Sequence, residues 1–229
     1  STIKAHSFNE VLNDKILKQD FERASKLLND FRSGNLSASE VFDPDKVAMW
    51  LAITDLFGAY HGACFTNIKL IYDRDLDRLY PTVWDTFSEN AFSSVTYSKH
   101  KIFKLNWVFD FYNGLCPSKT EMPTQMLLDK DVVEKYLTKL DEVTSAEYID
   151  NVMKIIKPKV DNYMNILHLE YPQFKIEDEL KRLKDNAEYL RKSYLYPEKP
   201  FNAYLSGDDK KDNLILVNRK PVPIKIIAL

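Results

Sequence analysis

One segment of this chain resists a helical reading, and it orders everything around it. From Tyr60 the sequence runs through a polar loop, Tyr-His-Gly-Ala-Cys-Phe-Thr, to Asn67, then into Ile-Lys-Leu-Ile-Tyr72. A charged turn, Asp73 to Asp77, leads to Arg78 through Trp84 and then Asp85. Two runs rich in β-branched and aromatic residues on either side of an acidic turn predict a β-hairpin over 67–72 and 78–84. Such a hairpin brings an amide oxygen, Asn67, and a carboxylate, Asp85, to one edge.

Helices are expected ahead of it. Ser7 stands as a cap before apolar residues at helical spacing from Phe8 to Phe31, and Gly34-Asn35 ends that run. Ser37 with Glu40 forms a capping box for a short turn, and Asp43-Pro44 signals a second start. The helix from Pro44 carries Val47, Trp50, Leu51, Ile53, Leu56 and Phe57, apolar on most sides, so it should be central. Beyond the hairpin, 97–103 reads as irregular or a weak strand, 107–112 as an aromatic helix and 117–123 as a loop. Asp129 should cap a helix to about Val143. A further helix opens at Thr144-Ser145 and is interrupted or restarted by Pro158. A long amphipathic helix spans Ile176 to Leu195, with Leu180, Leu183, Ala187, Leu190 and Tyr194 on one face. Pro197, Pro200 and Ser206-Gly207-Asp208 break structure, Asp208 to Asp212 is a charged turn, and the end alternates apolar and polar residues as a strand or hairpin does. The fold class is thus mainly α with a small β-hairpin and a C-terminal strand or hairpin. Residues 1–205 read as one helical domain and 206–229 as an extended tail.

Composition narrows the functions. With 32 basic and 34 acidic residues the net charge is −2, which gives no general attraction to nucleic acid or to an anionic membrane surface. No run of about 18 apolar residues is available to span a membrane. The 4 His form no HxxxH or HExxH pattern and the 2 Cys no CxxC pair, so a metal cluster of that kind is not expected. Cys64 and Cys116 leave one disulfide or two buried free thiols, the second being favoured. The chain starts at Ser1 without Met, as a processed or expressed fragment would.

Three stretches carry a family resemblance: Phe42 through His61 (FDPDKVAMWLAITDLFGAYH), Thr66-Asn67-Ile-Lys-Leu-Ile-Tyr72, and Pro81-Thr-Val-Trp84-Asp85. With the Tyr136 to Leu140 helix and the Glu147-Tyr-Ile149 helix start, they resemble the C-terminal, catalytic-lobe part of the spore-coat protein H (CotH) kinase-like family, over about 40–200. The resemblance implies a helical, protein-kinase-like C-lobe and the binding of ATP and Mg²⁺. It also implies a protein substrate, a separate N-terminal lobe and a parent that is often secreted or on the cell surface. It puts Asn67 at the metal-binding Asn of the catalytic loop and Asp85 at the metal-binding Asp after the hairpin, and oxygen ligands of this kind suit Mg²⁺. Asp55, one turn before the loop, would anchor that loop rather than do chemistry.

The departures matter as much. Kinases place the catalytic Asp five residues before the Asn, and here that residue is Gly62, preceded by His61. His61 is the remaining candidate base, although a loop His is more commonly a hydrogen-bonded neutral group. A second acidic position after the Trp-Asp pair is Phe87, and no β-rich, Lys-bearing segment precedes residue 40. The expectation is a fragment or degenerate form of a CotH-like kinase that contributes to nucleotide–metal binding and does not transfer phosphate efficiently by itself. The alternative is a non-catalytic binding or scaffold domain with the same architecture. Asn67 and Asp85 also have an ordinary reading, as turn and strand-end residues that satisfy local backbone groups.

Overall fold

A computed structural model describes residues 3–63, 67–84, 122–208 and 211–218. These residues are mainly helical, with two antiparallel strand pairs. They fall into two compact units. The first takes the described residues up to Trp84 together with Met122–Leu140, and the second those from Asp141 onward.

In the first unit, α1 (Phe8–Asn13) and α2 (Lys15–Arg32) replace the single helix expected from Ser7. Asp14 is the cause. Its backbone is extended, and its carboxylate accepts the amides of Ile16 at 2.7 Å and Leu17 at 3.0 Å, starting a new helix in mid-run. The end of α2 is as expected: Gly34 adopts φ +78°, and the amides of Gly34 and Asn35 return to Phe31 and Asp30. The box at Ser37 forms too, with Glu40 accepting the Ser37 amide at 2.8 Å ahead of α3 (Ala38–Val41).

Helix α4 (Pro44–Phe57) is the predicted central helix. The Asp43 carboxylate caps it through the amides of Asp45 and Lys46, and Gly58 closes it at φ +62°. Val47, Ala48, Trp50, Leu51, Ala52, Thr54, Asp55 and Leu56 are all buried. A 3₁₀ turn, Tyr60–Ala63, follows. The hairpin is real but shorter than expected, β1 (Leu70–Asp73) pairing with β2 (Arg78–Pro81) from Leu70↔Pro81 to Asp73↔Arg78. Short α5 (Met122–Met126) takes in Pro123, which the sequence had left in a loop, and α6 (Lys130–Val143) follows. Phe31 and Phe42 meet edge to face, ring centroids 5.0 Å apart, in the centre of this core.

Asp129 ties two helix starts together. One carboxylate oxygen caps α6 through the amides of Asp131 and Val132. The other accepts the amide and hydroxyl of Ser39, in the first turn of α3, at 2.8 and 2.7 Å.

In the second unit, Ser145 caps α7 (Ala146–Leu167), accepting the Tyr148 amide at 3.2 Å. Pro158 does not break it. The missing N–H and the ring free the carbonyl of Lys154, and 154–159 are all exposed, so water takes the freed acceptor. Helix α8 (Ile176–Leu190) ends before the expected Leu195, because 191–195 form a wider π turn. Arg191 holds that turn, donating to the carbonyl of Asp141 at 3.0 Å and pairing with its carboxylate at 2.7 Å, while Tyr196 donates to the same carboxylate at 2.9 Å. Of the predicted face, Ala187, Leu190 and Tyr194 are buried. The C-terminal hairpin forms as β3 (Phe201–Asp208) and β4 (Lys211–Asn218), and Asp208, Lys211 and Asp212 of the expected charged turn are paired within these strands. Ser206-Gly207-Asp208 belongs to β3 and breaks nothing, since each residue finds a cross-strand partner. Among the described residues no helix is long and apolar enough to cross a membrane.

The shared cap is testable. Burial alone would raise the Asp129 carboxyl, but the hydrogen bonds from Ser39, Val132 and Asp131 outweigh it and hold it below the usual carboxylate value. Asp129→Ala removes two caps at about 1 kcal/mol each and should cost about 2 kcal/mol in urea unfolding at neutral pH. A folded-state value below the unfolded one gives stability that is full above the unfolded value of 3.8 and lost as pH falls through the folded value. The gap between wild type and variant should therefore narrow only below that pH.

Candidate functional site at the end of the central helix and the hairpin

The site begins with how the hairpin is held. A two-stranded hairpin is marginal alone, so its docking decides its geometry. Backbone supplies the first contact: the Asp43 amide donates to the Leu79 carbonyl at 2.9 Å, and Phe42 and Leu79 form a parallel bridge. Leu79 is buried beneath it. Lys46, in the first turn of α4, lies 3.7 Å from the Asp73 carboxylate, and its Nζ sits 3.7 Å above the Tyr80 ring.

Helix α2 clamps the turn from the other side. Arg23 makes a forked contact with the Asp77 carboxylate, and Arg74 makes another with Asp20. Tyr72 donates its hydroxyl to Asp77 at 2.8 Å. The Arg23 guanidinium holds the Asp77 carboxyl below its ordinary value against the effect of burial, with the Tyr72 hydroxyl helping. Burial pushes the Tyr72 phenol up, and the neighbouring Asp77 adds to it.

From that clamped turn the ladder runs back toward the loop. The Thr82 amide donates to the Lys69 carbonyl at 3.0 Å, one step past the last strand pair. Continued in the same register, Ile68 and Val83 face each other next, and Asn67 and Trp84 after them. Asn67 is half-buried in the turn before β1. Trp84 is 52% exposed, with the Lys69 Nζ 5.8 Å from its ring centroid.

Asp55 is fully buried, with 0% of its surface exposed. Tyr136 of α6, itself buried, donates its hydroxyl to the Asp55 carboxylate at 2.5 Å. The Asp55 carbonyl accepts the Gly58 amide, and the Thr54 carbonyl accepts that of Ala59, so the chain leaves α4 tightly turned. His61 has its backbone in the 3₁₀ turn, and its side chain lies outside the described residues. The same turn buries Gly62 and Ala63. Asp85, Cys64, Phe65, Phe87, Trp107 to Tyr112 and Cys116 also lie outside them. Among the described residues no group of three or more His, Cys, Asp or Glu side chains could hold a metal ion.

Tyr136 is the site residue that the sequence reading missed. A signal for it existed. Asp55 interrupts an otherwise apolar helix, and Tyr136 stands on the buried face of α6 between Val132 and Leu140. Each needs a polar partner in the core, and pairing the two needy groups would have found the contact. The charges of α2 gave no such signal, since Asp20 and Arg23 look like any solvated helix face.

Compared with known proteins, the chain matches no family model, no curated protein and no solved structure.

The hairpin clamp carries its own expectation. With Arg23→Ala and Arg74→Ala combined, amide exchange at Leu79 and Thr82 should rise several-fold while α4 keeps its protection. High salt should produce part of the same change in the wild type, because both pairs are solvent-exposed. Equal protection in wild type and variant would mean that the backbone seam alone docks the hairpin.

Proposed function

We propose that this chain is the large lobe of a CotH-like atypical kinase, in a form that binds a nucleotide–Mg²⁺ complex and does not itself transfer phosphate. The observation that supports the reading is the register of β1 and β2, in which Asn67 falls opposite Trp84, the residue before Asp85 in sequence. An amide oxygen and a carboxylate are hard oxygen donors, and Mg²⁺ is held by one or two such groups together with phosphate oxygens and water. A bound Mg²⁺ would supply charge neutralisation for the β- and γ-phosphates.

The protein's own residues support binding better than transfer. Gly62 stands where a kinase keeps its catalytic Asp, and a glycine cannot orient or deprotonate a substrate hydroxyl. His61 stands beside it in the same turn, after Tyr60. The described residues ahead of α4 are the helices α1 to α3, consistent with a large-lobe unit. A protein substrate and a separate small lobe belong to the same proposal, as partners. The competing reading, a scaffold with kinase-like architecture and no nucleotide, draws on the same Gly62.

Calorimetry on the full chain separates the two. Mg²⁺-dependent heat on adding ATP, lost in Asn67→Ala and in Asp85→Ala while His61→Ala keeps it, is the expected outcome. Heat that is absent, or unchanged in both ligand variants, would sink the nucleotide-site reading and leave the scaffold.

A further inference from the structure

The buried Asp55–Tyr136 pair is more than α4 requires for packing. Taking a carboxylate to zero exposure is costly, and a Leu or Asn there would pack without that cost. The pair sits at the last turn of α4, where the carbonyls of Thr54 and Asp55 take the first two amides of the outgoing chain, Ala59 at 2.9 Å and Gly58 at 3.1 Å. Ala59, Gly62 and Ala63 are buried directly after it. The turn that carries His61 therefore leaves α4 right after a residue whose carboxylate is held by a different helix, α6.

We infer that Tyr136 is a positioning residue: through its hydroxyl bond to Asp55 it fixes the exit of α4 and so the 3₁₀ turn at Tyr60–Ala63 that carries His61 and Gly62. Neither residue touches a ligand in this scheme. A movement of α6 along its axis would reach the exit of α4 through this bond, which makes α6 an element through which a partner would alter the site. The inference rests on the proposed function only for what the loop is positioned to bind.

The test uses the full chain in three variants. Tyr136→Phe removes the donor and keeps the ring. Asp55→Asn keeps the shape and removes the charge. Leu140→Ala damages the same face of α6 without touching Asp55, and serves as the purely structural control. Amide exchange at 58–63 should rise about tenfold in Tyr136→Phe, as expected for losing a hydrogen bond to a charged group, and by a smaller, several-fold factor in Asp55→Asn, whose amide oxygen still accepts the hydroxyl without the charge. No further rise is expected when the two are combined. Leu140→Ala should raise exchange across the unit without singling out 58–63. Should Tyr136→Phe fold poorly, Asp55→Asn decides the matter alone. A second readout is Mg²⁺-dependent ATP affinity, which should fall in the pair variants and hold in Leu140→Ala. Unchanged protection at 58–63 in a folded pair variant overturns the inference whatever the nucleotide does. A wild type that binds no ATP overturns the kinase reading instead, and the exchange comparison still decides the anchor.

Discussion

The first unit depends on the seam where Phe42 and Asp43 meet Leu79. Three requirements converge on two residues there. Phe42 is fully buried against Phe31, the Asp43 carboxylate starts α4, and the Asp43 amide carries the bond to β2. A helix start leaves amides without partners, and a two-stranded hairpin leaves an edge without partners. Joining one to the other settles part of both needs. The hairpin is thereby referenced to the N-terminus of α4, and the loop after Gly58 is referenced to its C-terminus. The candidate site is strung between two points on one buried helix.

That arrangement explains why the charged contacts fall where they do. Arg23, Arg74 and Lys46 all act on the hairpin's turn, the end away from Asn67. Exposed ion pairs of this kind add little stability, but forked ones restrict geometry. The open end is left to the backbone ladder. Asp129 plays the corresponding part between α3 and α6, capping both starts with one carboxylate. The unit is joined at its helix termini as much as through its apolar core.

Much of this was legible in the sequence because the signals were local. Asp43-Pro44, Ser37 with Glu40, and Gly34 each act on neighbours within a few residues, and each element they mark is present. Asp14 was passed over because apolar spacing continues through it, yet its extended backbone and two accepted amides divide the helix. Pro158 was read too strongly, because a proline breaks a helix only where its freed carbonyl cannot reach water. The hairpin's existence followed from composition, but its docking did not. Arg23 and Asp77 are far apart in sequence, and nothing local couples them. The site was half legible: Asn67 and Asp55 were singled out from position, while Tyr136 emerged only from the geometry of α6.

The proposed function turns on a divalent cation held with nucleotide phosphates at the open end of the β1–β2 hairpin. Its most direct test is nuclear magnetic resonance of the isotopically labelled chain with ATP, replacing Mg²⁺ by traces of paramagnetic Mn²⁺. The account expects broadening centred on the amides around Asn67 and Val83 to Asp85, spreading to 58–63 and sparing the β3–β4 hairpin. Broadening centred elsewhere, or none above that seen with Mn²⁺ and no nucleotide, would contradict it.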